Sequence, residues 1–228
     1  MVIRPVFDEV CEDTFREAEA AIKMLVDKRR EVADFPRGLA VREKVEKFLR
    51  EHPNFNVYHA DHGTKDAVFG HDKKPVIDLN NVHLMKGRIF YNNNCSSGKY
   101  LGVEAYRKGC KVFWGYSDVF IYVTDNETLK YFNEVVNLGL KYYLDGKSWE
   151  DAYKLTKRRM NEIIDELLKM GKPLSAMCMR HDRDVLVCYT EKNPPKDLVK
   201  RPILTRLKII FRKILMKIRK VKYRMSSR

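Results

Sequence analysis

Four short apolar runs, "FNVYHA", "GRIFYNN", "CKVFWGYS" and "DVLVCYT", are separated by intervals long enough to cross back over a sheet. That spacing constrains the fold most. Parallel neighbours need a crossover of a dozen or more residues, and helices supply it. Helical periodicity fills most intervals. Asp8–Ala33 carries recurrent apolar positions from Val10 through Val26, and Val41–Arg50 is a second amphipathic stretch that ends before Pro53. "SSGKYLGVEAYRKG" reads as a helix capped by Ser96 or Ser97. Two more helices are expected over Glu127–Leu144 and Ser148–Met170, the second opened by a capping box of Ser148 and Asp151. At the N-terminus, Val2–Phe7 reads as a strand that Pro5 restricts to an edge or a strand start, and "DFPRG" reads as a break. "PVIDL" is a small strand within a loop. The expected class is α/β with a mostly parallel sheet flanked by helices. In such sheets ligands gather at the carboxyl ends of strands.

Charge divides the 228-residue chain in two. Residues 196–228 hold thirteen Lys/Arg and one acid, Asp197, a net +12 out of +14, so the rest is close to neutral. The prolines of "EKNPPKD" stand at that division, giving domains 1–192 and 193–228. There is no apolar run of eighteen residues, so no transmembrane helix is expected. "MVIRPVFDEVCEDTF" lacks the charged-then-apolar layout of a secretory signal, so none is expected there. Five scattered cysteines suit free thiols in a reducing compartment, and a cytoplasmic location is expected.

Two polar reactive residues fall where strands end. His62 follows "FNVYHA" and Cys95 follows "GRIFYNN". A thiolate is the nucleophilic form of cysteine, and a helix N-terminus or nearby imidazole lowers the thiol pKa. His62 is therefore the candidate base and later acid, and Cys95 the candidate nucleophile. Gly63 lets backbone approach a substrate and leaves an N–H for an oxyanion. Cys110 and Cys188 lie in apolar strands and read as packing residues.

"DHG" after one strand and "NCSSG" after the next, followed by "RKGCKVFWGYSDVF", resembles the caspase-like cysteine peptidases: caspases, gingipains, clostripain, separases and CHAT-domain proteases. The likeness is nearest to separase and CHAT members and spans about Phe55–Val123. It implies a caspase-like parallel sheet and a His62–Cys95 dyad working through an acyl-thioester. The Gly63 and Cys95 N–H groups would form the oxyanion hole, with no cofactor and no metal. Trp114, Tyr116 and Asp118 would flank the pocket for the residue before the scissile bond. Asp118 would read a basic side chain there. Before His62 the sequence offers one strand where that family places two, and "NNN" before Cys95 is more polar than the family's apolar block.

Two other functions compete. A catalytically silent caspase-like module could keep the fold and only bind. A metallohydrolase could use His59, Asp61 and His62, with His71 or His83 recruited, although Val57 stands where a first histidine ligand belongs. Residues 203–225, "ILTRLKIIFRKILMKIRKVKYRM", form a basic amphipathic helix on a helical wheel. Its expected partners, in order, are an anionic membrane surface, a protein surface and nucleic acid. The expected substrate of the peptidase is a protein or peptide.

Overall fold

The computed structural model describes residues 1–196; the basic segment 203–225 lies outside the described residues. Met1–Asn193 make one compact unit. In chain order its elements are β1 (Val2–Arg4), α1 (Glu9–Asp27), β2 (Asp34–Pro36), α2 (Arg42–Glu51), β3 (Val57–Ala60), β4 (Ala67–Phe69) and β5 (Pro75–Asp78). Then come β6 (Ile89–Asn93), α3 (Leu101–Arg107), β7 (Val112–Tyr116), α4 (Asn126–Val136), α5 (Leu138–Leu144), α6 (Trp149–Lys169), α7 (Pro173–Val185) and β8 (Leu186–Tyr189). The main sheet has six strands in the order β2-β1-β3-β6-β7-β8, parallel except where β8 runs antiparallel to β7. The α/β class with a mostly parallel sheet is as the sequence implied.

The period-2 alternation of the strands sorts side chains onto two cores. Tyr58, Tyr91 and Trp114 lie opposite one another across β3, β6 and β7, and their rings stack at 5.5 and 5.3 Å. They belong to the core that holds Phe132, Ile163 and Leu167 of the long helices. The residues one position earlier, Val57, Phe90 and Phe113, belong to the other core with Val45 and Leu49 of α2. Gly139 in α5 is where helix meets ladder: a Cβ there would sit 2.3 Å from the Trp114 ring. Asn137 interrupts the single helix expected over 127–144. Its side chain donates to the Glu17 carbonyl at 2.8 Å and accepts from the Tyr58 hydroxyl at 2.9 Å, so α4 and α5 join at a polar pin.

The N-terminal end differs from expectation. β1 is not an edge strand but lies between β2 and β3, with all three residues buried. The edge is β2, formed by the "DFP" read as a break. Proline cannot donate to a ladder, so Pro36 is tolerated only on such an edge. Two strands, β1 and β2, therefore precede β3 in the chain. β4 and β5 form a separate antiparallel hairpin, and "PVIDL" is its second arm. No helix among the described residues is long and apolar enough to cross a membrane.

Candidate active site at the carboxyl edge of the sheet

β3 and β6 pair in parallel with Ala60 opposite Asn93. His62 and Cys95 each lie two residues beyond that last pair. The two loops press together: a Cβ on Gly63 would come within 2.6 Å of Asn94 Oδ1 and 2.8 Å of the Cys95 carbonyl oxygen. Only glycine fits without displacing the Cys95 loop. Among the described residues, neither the Gly63 nor the Cys95 backbone N–H donates to a protein acceptor.

The polar "NNN" run is buried; its amide N–H groups are paired, while Asn93 Oδ1 and Asn94 Oδ1 have no partner. Asn93 donates to the Tyr58 hydroxyl at 2.7 Å, and Asn94 pairs with His59 Nδ1 at 3.2 Å. After Cys95 the chain turns sharply. Ser96 adopts φ +61°, in the left-handed region that costs a non-glycine residue on the order of 1 kcal/mol. Its N–H donates to the Asp118 carbonyl at 2.9 Å, and the Gly98 N–H donates to the Tyr116 carbonyl at 2.8 Å, which holds the turn against the end of β7.

Helix α3 does not begin directly after Cys95, nor is it capped by Ser96 or Ser97. It begins at Leu101, and the Tyr100 and Leu101 N–H groups donate to the Lys65 carbonyl. The helix dipole fades within one turn, so it gives the thiol little help. Cys95 is instead partly buried, and burial first, then the Asp182 and Asp118 carboxylates, push its thiol above its ordinary pKa. It rests as a thiol.

His62 is partly exposed, and its Nε2 lies 2.8 Å from Asp8 Oδ2. Asp8 caps α1 and follows the carboxyl end of β1, the strand beside β3. Burial opposes its charge, but hydrogen bonds from Cys11 and His62 prevail and hold its carboxyl down to about 2. An anion fixed on Nε2 orients the ring and leaves Nδ1 for proton transfer. Sequence reasoning missed Asp8; the signal available was that a third strand-end residue should lie beside His62. Asp61 is buried too, and burial lifts its carboxyl to about 6 against the hydrogen bonds it accepts from the Cys11 thiol and the His62 amide. Its Oδ1 lies 2.9 Å from Cys11 Sγ.

The pocket residues stand differently. Trp114 and Tyr116 are 1% and 2% exposed and pack in the core, so neither lines a surface pocket. Both sit on the same face of β7 as the aromatic ladder, and the long helices cover that face. Asp118 does lie near Cys95, but its carboxylate folds back on the Val119 N–H at 2.8 Å. A second acid was missed because α7 was missed. Asp182 is wholly buried, accepts from the Ile121 N–H at 2.9 Å through Oδ1, and leaves Oδ2 without a partner. Burial pushes its carboxyl up to about 8.

The metal set of the metallohydrolase reading is not assembled. His59 Nε2 lies 2.8 Å from the Phe69 carbonyl oxygen and Nδ1 faces Asn94, while His71 pairs with the Val6 N–H and His83 with the Asn80 carbonyl. Burial pulls His59 down to about 4, so it stays neutral as a core residue. Comparison of the chain with family models, with curated proteins and with solved structures finds no match in any of the three.

Proposed function

We propose that the protein is a cysteine endopeptidase using His62 and Cys95. The observation that carries this reading is the register of β3 and β6, which sets both residues two positions beyond one paired row at the ligand-binding edge of the sheet. In the proposed cycle His62 takes the Cys95 proton and the thiolate attacks the scissile carbonyl carbon. The oxyanion is held by the Gly63 and Cys95 N–H groups. Collapse expels the amine, which takes its proton from the imidazolium, and leaves a thioester. Water, deprotonated by His62, then releases the acid and the free thiol. Asp8 acts through His62 as a positioning residue. A cationic side chain before the scissile bond would meet Asp118, and by offsetting its charge would also ease thiolate formation.

A peptide bearing an electrophilic warhead after Arg or Lys tests the proposal. Labelling should map to Cys95 and be lost on mild alkylation. Labelling spread over several cysteines, or none on Cys95 in the native fold, would sink it. The raised Cys95 thiol gives weight to a second reading, a silent module that keeps the fold and binds through its tail.

For residues 203–225 the proposed partner is an anionic membrane surface on the cytoplasmic side, because the stretch pairs a broad apolar face with basic residues. Each basic residue near such a surface contributes on the order of 1 kcal/mol. A chain ending at Lys192 should therefore keep Cys95 labelling and lose sedimentation with anionic liposomes. Liposome binding that survives the truncation would refute the assignment. Steeply salt-dependent DNA binding without liposome binding would point to nucleic acid instead.

A further inference from the structure

We infer that Asp8, Cys11 and His62, with Asp61 beside them, form a zinc site that withdraws His62 from the catalytic dyad. The site itself stands on geometry alone; its effect on activity rests on the peptidase reading.

Three different donor types converge there: a carboxylate oxygen, a thiol sulfur and an imidazole nitrogen, all within 4.8 Å of one another. Bonds of about 2.0–2.3 Å in a tetrahedron set ligand atoms roughly 3.3–3.8 Å apart, so an ion needs side-chain shifts of about 1 Å. Asp8 and Cys11 come from the first turn of α1, and His62 from the loop after β3.

A second observation points the same way. Asp61 is buried, with its side chain fully enclosed; Oδ1 lies 2.9 Å from Cys11 Sγ and 4.0 Å from His62 Nε2, and Oδ2 has no partner. Among the described residues no lysine or arginine pairs with Asp8 or Asp61. Two carboxylates and a thiol thus crowd one imidazole with no cation to offset them. Buried oxygens of this kind are ordinarily paired or bound to an ion.

The donor set selects the metal. Thiolate with imidazole favours zinc over calcium or magnesium, which take oxygen ligands. Asp8 and His62 reach solvent and give the ion an entry path, while Cys11 and Asp61 close the inner side. On binding, an S–Zn bond forms and the Cys11 proton passes to solvent. The Nε2 lone pair goes to zinc, so the Asp8–His62 hydrogen bond is replaced. Metal-bound imidazole is a poorer proton acceptor at its other nitrogen, so Cys95 loses its base.

Binding is measured first, without reference to turnover, on full-length Cys95→Ala so that the candidate nucleophile cannot supply the sulfur. Zinc titrated against a chromophoric chelator should fill one site per chain, and Co²⁺ should give a thiolate-to-cobalt charge-transfer band. Cys11→Ser should lose the band and weaken zinc binding about 100-fold or more. If Cys11→Ser fails to fold, Asp8→Asn, which keeps a capping oxygen, should weaken zinc binding instead. Equal binding by Cys95→Ala and Cys11→Ser, or no saturable site, overturns the site. Loss of binding in Cys95→Ala also overturns it, since the metal would then sit on the dyad. In the unmutated chain zinc should slow electrophile labelling of Cys95, and Cys11→Ser should relieve that block. Zinc bound with labelling unchanged would overturn the withdrawal of His62 while leaving the site.

Discussion

Cys95→Ala should abolish peptide hydrolysis, with turnover falling by about 10⁴–10⁶-fold, while the thermal transition stays within a few degrees of the parent. The loss is large because in the proposed cycle every bond-making step passes through the Cys95 sulfur. His62→Ala should cost nearly as much, and the double variant little more than either single one, since residues acting as a unit are not additive. His62 matters more here than in a site with a preformed thiolate. The Cys95 thiol is pushed up by burial and by Asp182 and Asp118, so without a base almost none ionises near neutrality. Electrophile labelling of the His62→Ala protein should accordingly be slow at pH 7 and recover only in strong alkali. Labelling at the parent rate would remove His62 from the dyad. Chelators should leave turnover undiminished. Activity lost to EDTA but kept in Cys95→Ala would transfer the chemistry to a metallohydrolase mechanism.

The parts of this site that could be read from the sequence are those fixed by local pattern. β-rich runs end at Ala60 and Asn93, and whatever follows such a run emerges at the ligand-binding edge, so His62 and Cys95 were placed by the strands themselves. Register is another matter. That Ala60 pairs with Asn93, and that Gly63 abuts Asn94 and Cys95, depends on how two distant strands align. The start of α3 was misjudged because serines also close tight turns: Ser96 takes a left-handed conformation and Leu101 finds its partner in the Lys65 carbonyl, 36 residues away in sequence. β2 was hidden by Pro36, a residue that forbids a central strand but not an edge. Asp8 was visible only as the first residue of a helical stretch, because nothing in "PVFDEV" announces an imidazole 54 residues on. Asp182 was lost with α7, whose polar "RHDRD" end masks the apolar positions Ala176 and Met179 packed beneath it.

Asp182→Asn should change stability with opposite signs at low and high pH. The fold raises the Asp182 carboxyl from 3.8 to about 8, because burial penalises its charge. A raised carboxyl favours the native state fully only while it is protonated. Stability is therefore highest below about pH 4 and declines as pH rises to about 8, at up to about 1.4 kcal/mol per pH step. Asparagine keeps an oxygen for the Ile121 N–H and removes the charge. It also sets an amide donor where Oδ2 has no partner, at a cost of about 1–3 kcal/mol. At pH 4 that cost acts alone and the variant should melt lower than the parent. At pH 8 the removed charge outweighs it, and the variant should gain about 2 kcal/mol net, or roughly 4–8 °C in melting temperature. Melting curves for the two proteins over this range should cross. Parallel curves would mean that Asp182 is not held up by the fold. The same substitution separates stability from function. Asp182 is wholly buried and does not meet substrate, so the stabler variant should keep its kcat/KM ratio between Arg or Lys and apolar substrates. A loss confined to Arg and Lys substrates would overturn that placement. An equal loss on both would make Asp182 a support of the loop through Ile121 and leave the basic preference to Asp118.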